Sequence, residues 1–173
     1  MPRRHLSRKV KDRKGRTLLM LAAARGDAES LKLLIDAKAN IHARDQNAWT
    51  ALIYAACHGD TARVKLLIDA NAAVEAENNH QDTALLLAAR NGHADCIQLL
   101  FEVNADIEEQ NCHDSKALMI AAWRNNVDCV RRLVHLKADL KSVDDHHQTA
   151  LRMAVKNRSS DSLQIPMLPP RTA

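Results

Sequence analysis

The chain has 173 residues, 46% hydrophobic but only 2% aromatic, with a formal charge of +4. That apolar share excludes a wholly disordered chain, and the scarcity of aromatics calls for a core of Leu, Ile, Val and Ala in thin, closely packed helices. No run approaches the ~18 apolar residues of a membrane-spanning helix, and the charged leading segment lacks an apolar stretch, so neither such a helix nor a secretory signal is expected.

Residues 1–11 are polar and basic. Across residues 1–16, eight basic groups (Arg3, Arg4, Arg8, Lys9, Lys11, Arg13, Lys14 and Arg16) accompany one acid, Asp12, whereas the remainder carries 17 basic and 20 acidic residues. The positive charge therefore belongs to an arm, 1–11, expected to be disordered, and not to the body. Three roles are open to it: a nuclear-import signal, contact with nucleic acid or anionic membrane, or a solvated tail. Ser7 stands three residues after Arg4, a spacing that basophilic kinases accept.

From residue 12 the chain repeats every 33 residues without insertion. Thr83-Ala84-Leu85-Leu86-Leu87-Ala88-Ala89-Arg90-Asn91-Gly92 echoes Thr50–Gly59 and Thr17–Gly26, then continues as Lys116–Asn125 and from Thr149. The units are 12–44, 45–77, 78–110 and 111–143, with a partial fifth at 144–158. A fixed period of this size predicts a stacked array.

Each unit predicts the same elements. A short helix starts after a capping threonine (Thr17, Thr50, Thr83, Thr149), a cap that Lys116 forfeits in the fourth unit. A turn follows at Gly26, Gly59, Gly92 or Asn125, the last expected to be left-handed. A second helix opens on acids (Asp27, Glu29, Asp95, Asp128) that suit its positive end. Its apolar face is Leu31, Leu33, Leu34 and Ile35 in the first unit and Val64, Leu66, Leu67 and Ile68 in the second. The third unit has Ile97, Leu99, Leu100 and Phe101. In the fourth, Arg132 interrupts Val130, Leu133 and Val134, predicting a more exposed helix. A loop alanine (Ala39, Ala72, Ala105, Ala138) then leads to Ile41, Val74, Ile107 or Leu140. Beyond residue 158, Pro166, Pro169 and Pro170 break the pattern, so 159–173 is expected to be a mostly disordered tail after a C-terminal half-repeat.

The pattern resembles the ankyrin repeat family over residues 12–158. The family sequence is Thr-Pro-Leu-His-x-Ala-Ala, then Gly-x-x-Glu-Val-Val-x-Leu-Leu-Leu, then Gly-Ala-Asp. The resemblance implies an all-α solenoid of stacked helix-turn-helix units with short β-turn or hairpin tips. The departures are regular. Leu18, Ala51, Ala84, Ala117 and Ala150 replace the proline, and Met20, Ile53, Leu86, Met119 and Arg152 replace the histidine. Lys38, Asn71, Asn104 and Lys137 replace the loop glycine, where a lysine in a left-handed conformation costs roughly 1–2 kcal/mol.

Chemistry is hard to find. The four glycines, Gly15, Gly26, Gly59 and Gly92, all fall at turns, leaving no phosphate loop, and no catalytic motif is present. His80, His113 and His146 recur one period apart, which spaces them too widely for one ion. Cys57 and His58 are helix neighbours that point apart. The cysteines Cys57, Cys96, Cys112 and Cys129 include no CxxC, and Cys96 and Cys129 lie a repeat apart, beyond easy bridging. No catalytic residue, metal or cofactor is expected, and the compartment is read as intracellular, cytoplasmic or nuclear.

The resemblance also implies where a protein or peptide partner would sit: on a concave face made of the tips and of two positions before each mid-repeat turn. The tips carry Arg13, Lys14 and Arg16, then Gln46, Asn47 and Trp49, then Asn79, His80 and Asp82, then Cys112, His113 and Ser115, then Asp145, His146 and Gln148. The helix positions are Ala24 and Arg25, Cys57 and His58, Arg90 and Asn91, Trp123 and Arg124, and Lys156. Both tryptophans fall in this set, and Trp and Arg are enriched at binding hot spots. Trp49 and Trp123 are the expected anchors, with Arg25, His58, His80, Asp82, Arg90, Asn91, His113 and Arg124 around them. An acidic group in the loops, Glu75, Glu77, Asp106, Glu108 and Glu109, offers a second dock, for a basic segment such as the arm. The reading is a monomeric, non-enzymatic adaptor or scaffold. The alternative is a regulator whose basic arm contacts nucleic acid or membrane while the repeats position it.

Overall fold

A computed structural model describes residues 11–156. The arm residues Arg3, Arg4, Ser7, Arg8 and Lys9, the tail and the C-terminal half-repeat after Lys156 lie outside the described residues. Lys11 belongs to the array and not to the arm. It forms an isolated bridge with Thr17, and its Nζ donates to the Arg44 carbonyl at 3.3 Å.

Nine helices are present among the described residues, four pairs and a ninth first helix. The first helices are α1 (Leu18–Arg25), α3 (Ala51–Cys57), α5 (Ala84–Asn91), α7 (Ala117–Trp123) and α9 (Ala150–Lys156). The second helices are α2 (Ala28–Asp36), α4 (Thr61–Asp69), α6 (Ala94–Glu102) and α8 (Val127–His135). Each first helix packs on the next first helix, each second helix on the next second helix, so the stack is continuous. None is long and apolar enough to cross a membrane.

The local chemistry explains the pairs. The hydroxyls of Thr17, Thr50, Thr83 and Thr149 accept the backbone N–H three residues on, whereas Lys116 caps nothing. The alanines at the family's proline position, Ala51, Ala84, Ala117 and Ala150, are at most 2% exposed. Leu18 has that position in the first unit and remains 44% exposed. The loop residues Lys38, Asn71, Asn104 and Lys137 take φ between 60° and 66°, and Asn125 takes 56°, the left-handed turns foreseen from the sequence.

The tips are built identically, by a device the family pattern does not spell out. Asp12, Asp45, Asn78, Asn111 and Asp144 each use one side-chain oxygen to accept the N–H groups two and four residues ahead. The residue three ahead is left-handed: Gly15, Ala48, Gln81, Asp114 and His147. Tips then join through one backbone bond per interface: Gln46 to Lys14, Asn79 to Asn47, Cys112 to His80 and Asp145 to His113.

Two packing expectations need correction. Leu33 is 64% and Phe101 38% exposed. The helical period directs Leu31 and Ile97, with the leucines at 67, 100 and 133, into the core and carries Leu33 and Phe101 to its edge. Arg132 does not loosen α8: Val130 and Leu133 are fully buried, and Arg132 reaches back to Gln98 (3.2 Å) and Asp95 (3.5 Å) on α6.

Candidate partner-binding face

The C-terminal ends of α5, α7 and α9 and the tips of the fourth and fifth units enclose a groove of about 420 Å³. Its lining includes Arg90, His113, Trp123 and Arg124, with Asp145, His146 and Lys156, all at positions the sequence proposed for the concave face. Ile120 and Met153 contribute an apolar floor. Arg90, Trp123 and Lys156 share one register on successive first helices, 33 residues apart, so the groove presents cation, indole, cation in a row.

Arg90 is held at both ends. Its Nη2 lies 2.9 Å from Asp82 Oδ1. Its carbonyl, and that of Ala89, accept from Asn126 Nδ2 at 3.0 and 2.8 Å. Asp82 is 1% exposed and also accepts from Asn111 Nδ2 at 3.2 Å. This corrects its placement among partner-touching residues: with donors from two repeats converging on it, the carboxylate turns inward and positions Arg90. At the tip end, Asp145 stands between His113 (3.6 Å) and His146 (3.4 Å).

The other candidates lie elsewhere. Trp49 is half-buried against the core, its ring 4.9 Å from that of Tyr54 and tilted 45°. The Tyr54 hydroxyl donates to Asp45 at 2.7 Å, and burial, then this hydrogen bond, push the phenol up to about 12. Trp49 thus contributes to the packing of the second unit and is not among the residues lining the groove of Trp123. Asn91 ties its repeat to the previous one through the Cys57 carbonyl (3.1 Å) and sulfur (3.2 Å). His58 is exposed and rests on the Tyr54 carbonyl at 2.8 Å. Arg25 lines a separate pocket by Leu18 and Leu34. His80, Arg13 and Lys14 are exposed on earlier tips.

Two of the five residues in the acidic group are engaged by the next unit of the array. Glu75 accepts from the Asp106 N–H (2.9 Å), and Glu108 from the Asp139 N–H (2.7 Å) and Lys116 Nζ (2.9 Å). The cysteines do not form a reactive set. Burial raises Cys57, takes Cys96 to about 11 and Cys129 to about 12. Among the described residues no three His, Cys, Asp or Glu side chains converge as metal ligands.

Sequence reasoning missed the side chains that bind repeat to repeat. Arg63 is 4% exposed, pairs with Asp60 (2.8 Å) and donates to the Ala23 carbonyl at the end of α1. His93 contacts the Cys57 carbonyl at 3.1 Å, and Asn126 does the same for α5. Asp27 and Asp60, at the register of His93 and Asn126, cap their own helices instead. The change from Asp to His and Asn at this register was visible in the sequence and signalled the difference.

Stacked helical pairs with a polar, grooved inner face define a repeat-type interaction module. Residues 19–111 and 103–165 match the family model of ankyrin repeats (three copies), and the chain belongs to the ankyrin repeat family. Ankyrin repeats generally mediate protein–protein interaction and are typically non-enzymatic. No curated protein matches the chain.

Proposed function

We propose that the protein is a non-enzymatic adaptor whose concave face receives a protein or peptide, centred on the groove of the third to fifth units. One observation carries this reading. On the internal first helices α3, α5 and α7, every large apolar side chain is buried or half-buried except Trp123, which is 43% exposed in the groove. An indole beside Arg90 and Arg124 has the composition of a hot spot, where Trp and Arg dominate binding energy. The groove is framed by rigid elements, which lowers the ordering cost of binding. The four free cysteines support an intracellular setting, cytoplasmic or nuclear.

The test is affinity capture from cell extract with three baits: the intact chain, Trp123→Ala and an outer-face control, Arg131→Glu. A partner held by the groove is lost with Trp123→Ala and kept with Arg131→Glu. Equal capture by all three, with folding verified by circular dichroism, refutes the assignment.

A further inference from the structure

Resting on that reading, we propose that the groove selects a linear peptide segment with a large apolar side chain and an acidic one about three residues away. The apolar residue lies on Trp123 and the acid meets Arg124 and Lys156.

Charge supplies the first argument. Of the acids lining the groove, Asp144 is 7% exposed and accepts the N–H groups of His146 and Gln148, and Asp145 lies at the tip beside His113 and His146. Arg90 is paired with Asp82. Arg124 and Lys156, both exposed, have no ion-pair partner among the described residues. Arg124 and Lys156 thus line the groove as exposed cations with no ion-pair partner among the described residues, and an anionic side chain is their complement. A ligand lysine there would meet like charge, which builds specificity by repulsion as well as attraction.

Spacing supplies the second. Trp123 and Lys156 occupy one register on neighbouring first helices, and packed helices lie about 8–10 Å apart. An extended or polyproline-type chain advances about 3.1–3.4 Å per residue, so about three residues carry it from one register site to the next. Arg90, fixed by Asp82 on the other side, keeps further N–H donors for a ligand carbonyl.

The experiment selects random linear peptides from a display library on the intact chain, on Trp123→Ala, and on Arg124→Glu/Lys156→Glu. Both charge-reversed positions are exposed, and circular dichroism verifies that each variant folds. The intact chain is expected to enrich Asp or Glu about three positions from Leu, Phe or Trp. A selected acidic peptide should lose at least tenfold in affinity on charge reversal, weaken with added salt, and keep its affinity for Arg124→Lys/Lys156→Arg. Charge reversal should shift selection to Lys or Arg while retaining the apolar position. Absence of acid enrichment, or identical peptides from the charge-reversed chain, overturns the proposal. If peptides without acids still need Trp123, the groove assignment stands and the acidic specificity falls. If acidic peptides bind Trp123→Ala undiminished, the groove assignment falls too. Self-association that displaces the peptide would give the groove to a second copy and also overturn the proposal.

Discussion

Asp82→Ala is the sharpest probe of how the array holds its binding face. The carboxylate is 1% exposed and bonded to Arg90 and Asn111. Removing it strands the Asn111 amide, itself on a residue 4% exposed, and an unsatisfied buried donor costs about 1–3 kcal/mol. It also unpairs Arg90, where breaking a buried pair costs about 3–5 kcal/mol. Arg90 keeps 32% of its side chain exposed and can turn toward solvent, so the lower part of that range is its ceiling. The combined expectation is about 2–4 kcal/mol, a large part of the roughly 5–15 kcal/mol available to a domain. With a urea m-value of about 2 kcal/mol/M, the midpoint should fall by about 1–2 M. Asp82→Asn, which keeps the shape and one acceptor, should fall by less. The assay is urea unfolding followed by far-UV circular dichroism, with m compared because repeat arrays can fray from an end. A midpoint for Asp82→Ala within about 0.3 M of the intact chain, well inside the shift worked from the lost bonds, would refute the inward role of this carboxylate.

The two tryptophans should separate cleanly. Trp49→Ala, which removes a half-buried ring and its contact with Tyr54, should cost about 2 kcal/mol, whereas Trp123→Ala should stay within about 0.5–1 kcal/mol in the same unfolding assay. Tyr54 is the sole tyrosine, so ultraviolet difference titration reads it alone, with a midpoint near 12 folded and near 10 in denaturant. The fold favours the neutral phenol, so its stabilising contribution is complete below the unfolded value and is lost as pH rises toward 12. A folded midpoint near 10 would contradict the Tyr54–Asp45 bond. Thiol alkylation mapped by mass spectrometry should modify exposed Cys112 in the native chain and leave Cys96 and Cys129 untouched until urea is added, because burial holds both protonated. Thr83→Ala should lose about 1 kcal/mol through its cap to the Leu86 N–H.

The fold was legible because period, caps and turns are local and repeat five times. A threonine before Leu or Ala, a glycine or asparagine at a left-handed turn and a Leu, Ile or Val at the core registers each act within one unit. The site was less legible, because the tip and helix positions vary from unit to unit and variation has two causes. Asp82 varies because Arg90 and Asn111 draw it inward, and Trp49 because Tyr54 gives it a ring to lie against. Trp123 keeps 43% of its surface exposed and lines the groove with Ile120 and Met153. A one-unit pattern cannot distinguish these cases, since each depends on what the next unit supplies.

That dependence also explains where the binding face lies. In the first two units the residue opening the second helix is an aspartate that caps its own helix. In the third and fourth it is His93 or Asn126, neither of which caps its own helix, and the side chain reaches to the carbonyls ending the previous first helix. Those carbonyls belong to Cys57, Ala89 and Arg90, at or beside the register of Arg90 and Trp123. Giving up an N-cap costs about 1 kcal/mol, and what is gained is a fixed rim: Asn126 holds the Arg90 backbone while Asp82 holds its guanidinium. Rigid placement of a few polar groups lowers the entropy a ligand must lose. The third-to-fourth interface, where these bonds converge, is therefore both a tightly joined seam of the array and the wall of its groove. Asn126→Ala should loosen the two together, lowering peptide affinity without touching the ligand.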